Sequence, residues 1–359
     1  MPRPLCHAGV LLGLSTFGLV RGAAEPVVVD VDRYRVMEPM VESVRVVLSQ
    51  RGETYSPAYI QGISRTAFQI GGICPCAPTC GEAMGPEKLL AALGYEFRRV
   101  DLSKGYLDLE AAAKDLVAAI RQEVRSGRAA VAWHAFTTAE FDVVCGFDDA
   151  TSEFIGRGSY AGLDDYARAP QGRLATCGDI CPPLGAVLVG ERVREPDLSE
   201  LEISALVEAV RHARSTRNVD KVGSEKWVFL EGLACYDRWV RDYRDDATKV
   251  PGVGDSYCLG ILRSTRRSAA DFLREVAPRH TKAQERLMAA ASCFGAEADA
   301  LDLLDPLIGW NAPREPDERR GAQAAELLQR ARDSYAEGIA CIEQALEAIS
   351  RGARPTSPP

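Results

Sequence analysis

The segment Ala129-Ala-Val-Ala-Trp-His-Ala-Phe-Thr-Thr-Ala-Glu-Phe-Asp-Val-Val-Cys-Gly-Phe-Asp-Asp-Ala-Thr-Ser-Glu-Phe-Ile-Gly-Arg157 decides the fold. Ala129 to Phe136 is an apolar β run. Phe141, Val143, Cys145 and Phe147 then alternate with Glu140, Asp142, Val144 and Gly146. That period of two marks a strand. Asp148-Asp149-Ala150-Thr151 is a turn, and Phe154 to Arg157 returns as a hairpin partner. Two further strands are expected, at Tyr95 to Val100 and at Ala186 to Val193.

Upstream the spacing is helical. Met37, Met40, Val41, Val44, Val47 and Leu48 share one face, with Gly52 after them. Ser56-Pro57 is an N-cap followed by proline, which predicts a helix from Pro57 to about Ile70. Gly85-Pro86-Glu87 opens a third helix that Gly94 closes. Leu109, Ala113, Leu116, Ile120 and Val124 mark a fourth. Helices followed by antiparallel strands predict an α+β domain.

Downstream of residue 194 the pattern is helical throughout. Asp197 caps one helix. Others are expected over Glu225 to Arg244, Ser256 to Ala277 and Thr281 to Leu304, with a last one from about Pro316. In that last helix Leu328, Ala331, Tyr335, Ile339, Ile342, Leu346 and Ile349 alternate spacings of three and four, the seam of a bundle. Trp227, Trp239 and Trp310 are read as bundle core, and His212 and His280 as surface residues. Gly252-Val-Gly254 is no nucleotide loop, because no Gly-Lys-Ser follows it. The expected organisation is a signal over 1–24, an α+β domain over 27–194, a helical domain over 195–351 and a disordered tail over 352–359.

With 359 residues and a net charge of −8, the chain has the size of two domains and lacks the basic balance that nucleic-acid binding requires. No apolar run has the length of a membrane span. Ala8 to Val20 is a short apolar stretch after a cationic start, with Gly22-Ala23-Ala24 behind it. This describes a secretory signal and an extracytoplasmic location, with a buried first helix as the alternative. Cleavage after Ala24 would leave ten of the eleven cysteines, an even number that suits an oxidising compartment.

Gln61-Gly-Ile-Ser-Arg-Thr-Ala-Phe68, Cys74-Pro-Cys-Ala-Pro78, Leu93-Gly-Tyr95 and Asp142-Val-Val-Cys-Gly-Phe-Asp-Asp149 occur in an order that resembles the N-terminal domain of the butirosin biosynthesis protein H family. The resemblance covers roughly residues 36 to 193. It implies a papain-like, C39-peptidase-like fold followed by a helical region. An active member needs a thiolate at a helix N-terminus and a histidine on a facing strand. On this resemblance the helix offers Ser64 rather than cysteine. The histidine six residues before the strand glycine is replaced by Glu140, six before Gly146. The resemblance therefore implies the fold without the peptidase pair.

The leading expectation is a catalytically degenerate protein that binds a small molecule or peptide in the former cleft. Gln61, Ser64, Arg65, Glu140, Asp142 and Arg157 would line it. The two arginines could carry an anionic ligand or pair with the two carboxylates. Those carboxylates also fit a solvated strand face. The rival is an acyltransferase or hydrolase with Cys74 as nucleophile and His134 as base, against which His134 reads as a strand-end histidine bonded to the backbone. A third reading is an extracytoplasmic interaction protein stabilised by its cysteines. Cys74, Cys76, Cys80, Cys177 and Cys181 would then form disulfides or, failing that, a tetrahedral zinc site. No other cofactor is expected. Cys145 reads as a buried thiol.

Overall fold

The computed structural model describes residues 25–72, 84–103, 108–176, 183–215, 218–219 and 229–353. In chain order the elements are β1 (Val27–Val28), α1 (Pro39–Gln50), α2 (Pro57–Ile63), β2 (Gly71–Gly72), α3 (Pro86–Ala92), β3 (Tyr95–Val100), α4 (Leu109–Arg125), β4 (Ala130–Trp133), β5 (Phe141–Asp148), β6 (Glu153–Arg157), β7 (Ala167–Pro170) and β8 (Ala186–Arg192). There follow α5 (Leu198–Ala213), β9 (Asn218–Val219), β10 (Phe229–Glu231), α6 (Gly232–Asp245), α7 (Val253–Val276), α8 (Gln284–Ile308) and α9 (Glu318–Ala353). The chain thus combines helices with an antiparallel sheet and ends in a helical region. The predicted signal, the tail from residue 354, Trp227 and the loops carrying Cys74, Cys76, Cys80, Cys177 and Cys181 lie outside the described residues.

The main sheet runs β3-β8-β4-β5-β6-β7, antiparallel at every pairing. β5 is its longest strand, and all eight of its residues are buried. β4 covers one edge of β5 from Phe141 to Val144. β1 then takes over beside Gly146 and Phe147. A register shift between Val144 and Gly146 leaves Cys145 as an extra residue in the ladder. Beyond this bulge the inside-outside parity of the strand is reversed. Phe141, Val143 and Cys145 pack on the α1 face with Val41, Val44 and Val47. Val144 and Phe147 pack on the other face, with Leu116, Ile120 and Val124 of α4. Simple alternation had put Phe147 with Phe141.

The first core does not stop at residue 194. It continues from α1 and α2 through Phe68 to Phe272, Phe294 and Tyr335 of the helical half. Gly62 lies against the Phe272 ring, where a β-carbon would sit only 2.1 Å from the ring. Backbone pairing crosses the boundary as well, for β10 is antiparallel to β2 with Leu230 opposite Gly72.

Several boundaries differ from the sequence expectation. The helix expected to reach Ile70 ends at Ile63, because Arg65 turns left-handed at φ +78° and Thr66–Phe68 form a single 3-10 turn. The strand expected to reach Phe136 ends at Trp133, since His134 is also left-handed at φ +62°. Residues 229–231 of the helix expected from Glu225 are strand β10, and α6 begins at Gly232 with φ +57°. There a β-carbon would lie 2.4 Å from the His212 carbonyl, so glycine is required. His212 is buried, not on the surface, with Nε2 2.9 Å from the Ile70 backbone. His280 is buried too, and its Nε2 lies 2.8 Å from Glu202. Trp239 is core as expected, but Trp310 is half exposed and not part of the bundle interior.

Candidate functional site

Two stretches of backbone bury polar side chains beside the sheet. The first is the entry to α1. Glu38-Pro39 repeats the logic of Ser56-Pro57, a capping side chain followed by proline. The Glu38 carboxylate accepts from the backbone of Met40 at 3.2 Å and Val41 at 3.0 Å. It is almost wholly buried. Burial pushes its pKa up to about 7, against the lowering effect of those two hydrogen bonds. Gln61 Nε2 reaches the same carboxylate at 3.5 Å, while Gln61 Oε1 accepts from the Thr66 hydroxyl at 2.6 Å.

Ser64 is buried at the C-cap of α2. Its hydroxyl lies 3.1 Å from the Gln61 carbonyl and 2.9 Å from Thr66 Oγ1. A helix C-terminus presents carbonyl oxygens, which disfavour an anion. Ser64 therefore lacks the electrostatic support that a nucleophile at a helix N-terminus would have. The helix whose N-terminus enters beside the sheet is α1, and the residue there is Glu38.

The second stretch is the β4–β5 connection. Asp142 accepts from the backbone of Phe136 at 2.6 Å and Thr137 at 3.0 Å, and from the Thr137 hydroxyl at 2.5 Å. It is fully buried, and desolvation raises its pKa to about 7. Gly158 leaves it room, for a β-carbon there would come within 2.2 Å of the carboxylate. Glu140 accepts from the Ser159 hydroxyl through one oxygen and from the Tyr257 hydroxyl, 2.7 Å away, through the other. Burial raises its pKa as well. Neither carboxylate is on a solvated strand face. Both are buried, and their oxygens are met by Thr137, the Phe136 backbone, Ser159 and Tyr257.

Tyr34 stands between the two stretches. It is buried, and its hydroxyl donates to the Phe141 carbonyl at 3.0 Å. Burial first, and then the charges of Asp142, Glu42, Glu140 and Glu38, hold its pKa well above the ordinary phenol value. Glu38, Glu140 and Asp142 are thus three buried carboxyls whose charges all bear on Tyr34.

The two candidate arginines stand elsewhere. Arg65 faces Glu208 of α5 at 3.8 Å. Arg157 donates to the Gly162 carbonyl and lies 4.3 Å over the Tyr166 ring. Neither pairs with Glu140 or Asp142, whose oxygens are taken by Ser159, Tyr257, Thr137 and the Phe136 backbone. Arg157 does line an open groove of about 730 Å³, together with Asp30, Asp32, Arg33, Asp164 and Asp165. Gln61, Ser64, Arg65, Glu140 and Asp142 do not line it.

His134 closes the β4–β5 turn. Its backbone donates to the Glu140 carbonyl at 2.8 Å, and its Nδ1 accepts from the Ala139 backbone at 3.0 Å. Burial, then the Arg173 charge, lowers its pKa. The lone pair on Nδ1 is occupied, so the neutral ring carries its proton on Nε2 and has no second site to receive one. This geometry suits a backbone clasp better than a general base.

Cys145 is fully buried, and desolvation pushes its thiol up to about 12. Among the described residues, Cys145, Cys235, Cys258, Cys293 and Cys341 are free thiols. No group of three or more metal-ligating side chains is placed to hold an ion among the described residues. Nor is any described helix long and apolar enough to cross a membrane.

Sequence reasoning singled out Glu140, Asp142, Gln61 and Ser64; Gln61 and Ser64 share Thr66 as a partner, and Glu140 and Asp142 lie at the β4–β5 connection. It missed Glu38, Tyr34, Ser159 and Tyr257. The Glu38-Pro39 pair carried a readable capping signal; Tyr257 carried none. No protein-family model matches the chain, and no curated protein matches it.

Proposed function

We propose that this protein is a catalytically degenerate member of the papain-like, C39-like architecture that acts by binding a small molecule or peptide. The observation that carries this reading is the pair Glu38 and Glu140. A papain-like enzyme would hold a thiolate at the N-terminus of the helix packed on the sheet, and an imidazole at the start of the facing strand. What supports the reading is that the N-terminus of α1 and the start of β5 carry two buried carboxyls, Glu38 and Glu140, and that Ser64 sits at a helix C-terminus. Neither carboxyl can serve as the sulfur nucleophile or as its imidazole base.

Glu38, Glu140 and Asp142 are buried and hydrogen-bonded within the protein, so on this reading binding falls to the groove at Arg157. Four aspartates there outnumber Arg33 and Arg157. Asp32 is held ionised at about 2, because hydrogen bonds from Arg35 and Arg45 outweigh the effect of burial. Asp32 is matched by those two arginines, so it is Asp164 and Asp165 that favour a ligand bearing amines over an anionic one.

Equilibrium dialysis of the full chain against a lysine-rich and a glutamate-rich peptide tests the proposal. Saturable binding of the basic peptide, weakened by Asp164→Asn with Asp165→Asn, is the expected result. Turnover of ester or amide substrates that disappears in Cys74→Ala would overturn it in favour of an acyltransferase or hydrolase.

A further inference from the structure

We infer that the chain forms a two-fold homodimer by antiparallel pairing of β3 with β3 of a second copy. The inference is independent of the proposed binding function. The main sheet ends in β3 on one side and in β7 on the other, and the two edges differ. β7 has four residues and ends in Pro170, which lacks the N–H that further pairing needs. β3 has six residues and no proline, and Glu96, Phe97, Arg98 and Arg99 are all exposed. The irregularity in its ladder belongs to its neighbour. From Tyr95 to Phe97 is two steps, while their partners run three steps from Arg192 to Val189. The extra residue therefore lies in β8, and β3 itself continues without a bulge. Among the described residues no strand covers its outer edge. An edge of this kind presents unpaired backbone N–H and C=O groups, a template for another strand.

Charge complementarity selects a second copy as the occupant and fixes the register. A two-fold axis normal to the sheet sets one residue of the strand opposite itself and pairs its two neighbours across the axis. With Phe97 on the axis, Glu96 of each copy lies opposite Arg98 of the other, so two ion pairs flank the centre. The two Phe97 rings then meet, and each is 38% exposed, with apolar surface to bury. Centring the pair on Glu96, Arg98 or Arg99 instead would set a charge directly against its like, which is destabilising. Arg99 is engaged within its own chain by Glu87, and its Nε lies 3.9 Å from Asp101. Among the described residues no ion pair joins Glu96 or Arg98 to another side chain, so both remain available for the pairs between copies. The dimer would join the two main sheets into one.

The test is sedimentation velocity of the full chain over a concentration series. The expected result is a reversible monomer–dimer equilibrium. Arg98→Glu sets a carboxylate opposite Glu96 at both flanking positions and should weaken the dimer about tenfold. Adding Glu96→Arg to that variant restores opposite charges across the axis, and the dimer should return. A wild-type chain that stays monomeric up to its solubility limit would overturn the inference. So would a dimer indifferent to Arg98→Glu, or a double variant that fails to recover it.

Discussion

The Tyr257 hydroxyl of α7 donates to the Glu140 carboxylate at 2.7 Å, across 117 residues of sequence. This bond ties α7 of the helical half to the residue just before β5. Removing it tests how much that tie contributes to stability. Tyr257→Phe should cost about 1–3 kcal/mol, the penalty for a buried carboxylate oxygen left without its donor. Urea unfolding would read the loss. An unchanged midpoint would mean that water replaces the hydroxyl.

The buried acids Glu38 and Asp142 should give the protein an unusual pH profile. Glu38 rises from 4.5 to about 7, and Asp142 from 3.8 to about 7. Between those limits the folded state keeps protons that the unfolded chain has released. Stability contributed by these groups is therefore full below about pH 4 and falls as pH rises through 7. At about 1.4 kcal/mol per unit, each group accounts for a loss of about 3–4 kcal/mol. Glu38→Gln should be nearly neutral at pH 5 and relatively stabilising at pH 8. Chemical denaturation at both pH values would show it, and parallel profiles for variant and wild type would refute it.

Gly62 and Phe272 make a steric pair between α2 and α7. A β-carbon at Gly62 would lie 2.1 Å from the Phe272 ring. Gly62→Ala should destabilise by about 1–3 kcal/mol, the usual cost of overpacking. Phe272→Leu in the same chain should recover part of that loss. A double-mutant cycle with no coupling would mean that the two helices simply slide apart.

Arg266 is the fully buried tie between the halves. It donates to the carbonyls of Ala67 at 2.7 Å and Gln69 at 2.9 Å, and pairs with the buried Glu297 at 2.7 Å. Arg266→Met should cost about 3–5 kcal/mol, since it strands a carboxylate in the core. Adding Glu297→Met should return some of that stability. Thermal melts of both variants would decide, and a single variant as stable as wild type would show that Glu297 is protonated without its partner.

The strands and most helices were legible because their signals are local. Tyr95–Val100 is a strand over its predicted span, and Pro57 and Pro86 start helices where their capping residues said they would. The failures came from long-range effects. The helix toward Ile70 breaks at Arg65, and the carbonyls of Ala67 and Gln69 beyond it are bonded by Arg266, nearly 200 positions away. The Cys145 bulge has no composition cue, yet it moves Phe147 to the opposite face. His212 and His280 looked like surface residues among arginines, because neither Ile70 nor Glu202 announces itself as their partner. The site was partly legible for the same reason. Glu140 and Asp142 could be picked from the strand pattern, whereas the donors that bury them come from a separate strand-end residue, Ser159, and a distant helix residue, Tyr257.

The hydrogen bond from Tyr335 of α9 to the Phe68 carbonyl spans 267 residues, and it bears on biosynthesis. A nascent chain emerging from the ribosome displays Ile60, Phe68 and the apolar side of α2 long before α7, α8 and α9 exist to cover them. Such high contact order slows folding and prolongs the exposure of sticky surface. The sheet half can begin to assemble during translation, but its core becomes complete only after the last helix has been made. Truncation before α9 should therefore yield an aggregation-prone fragment in place of a tidy N-terminal domain.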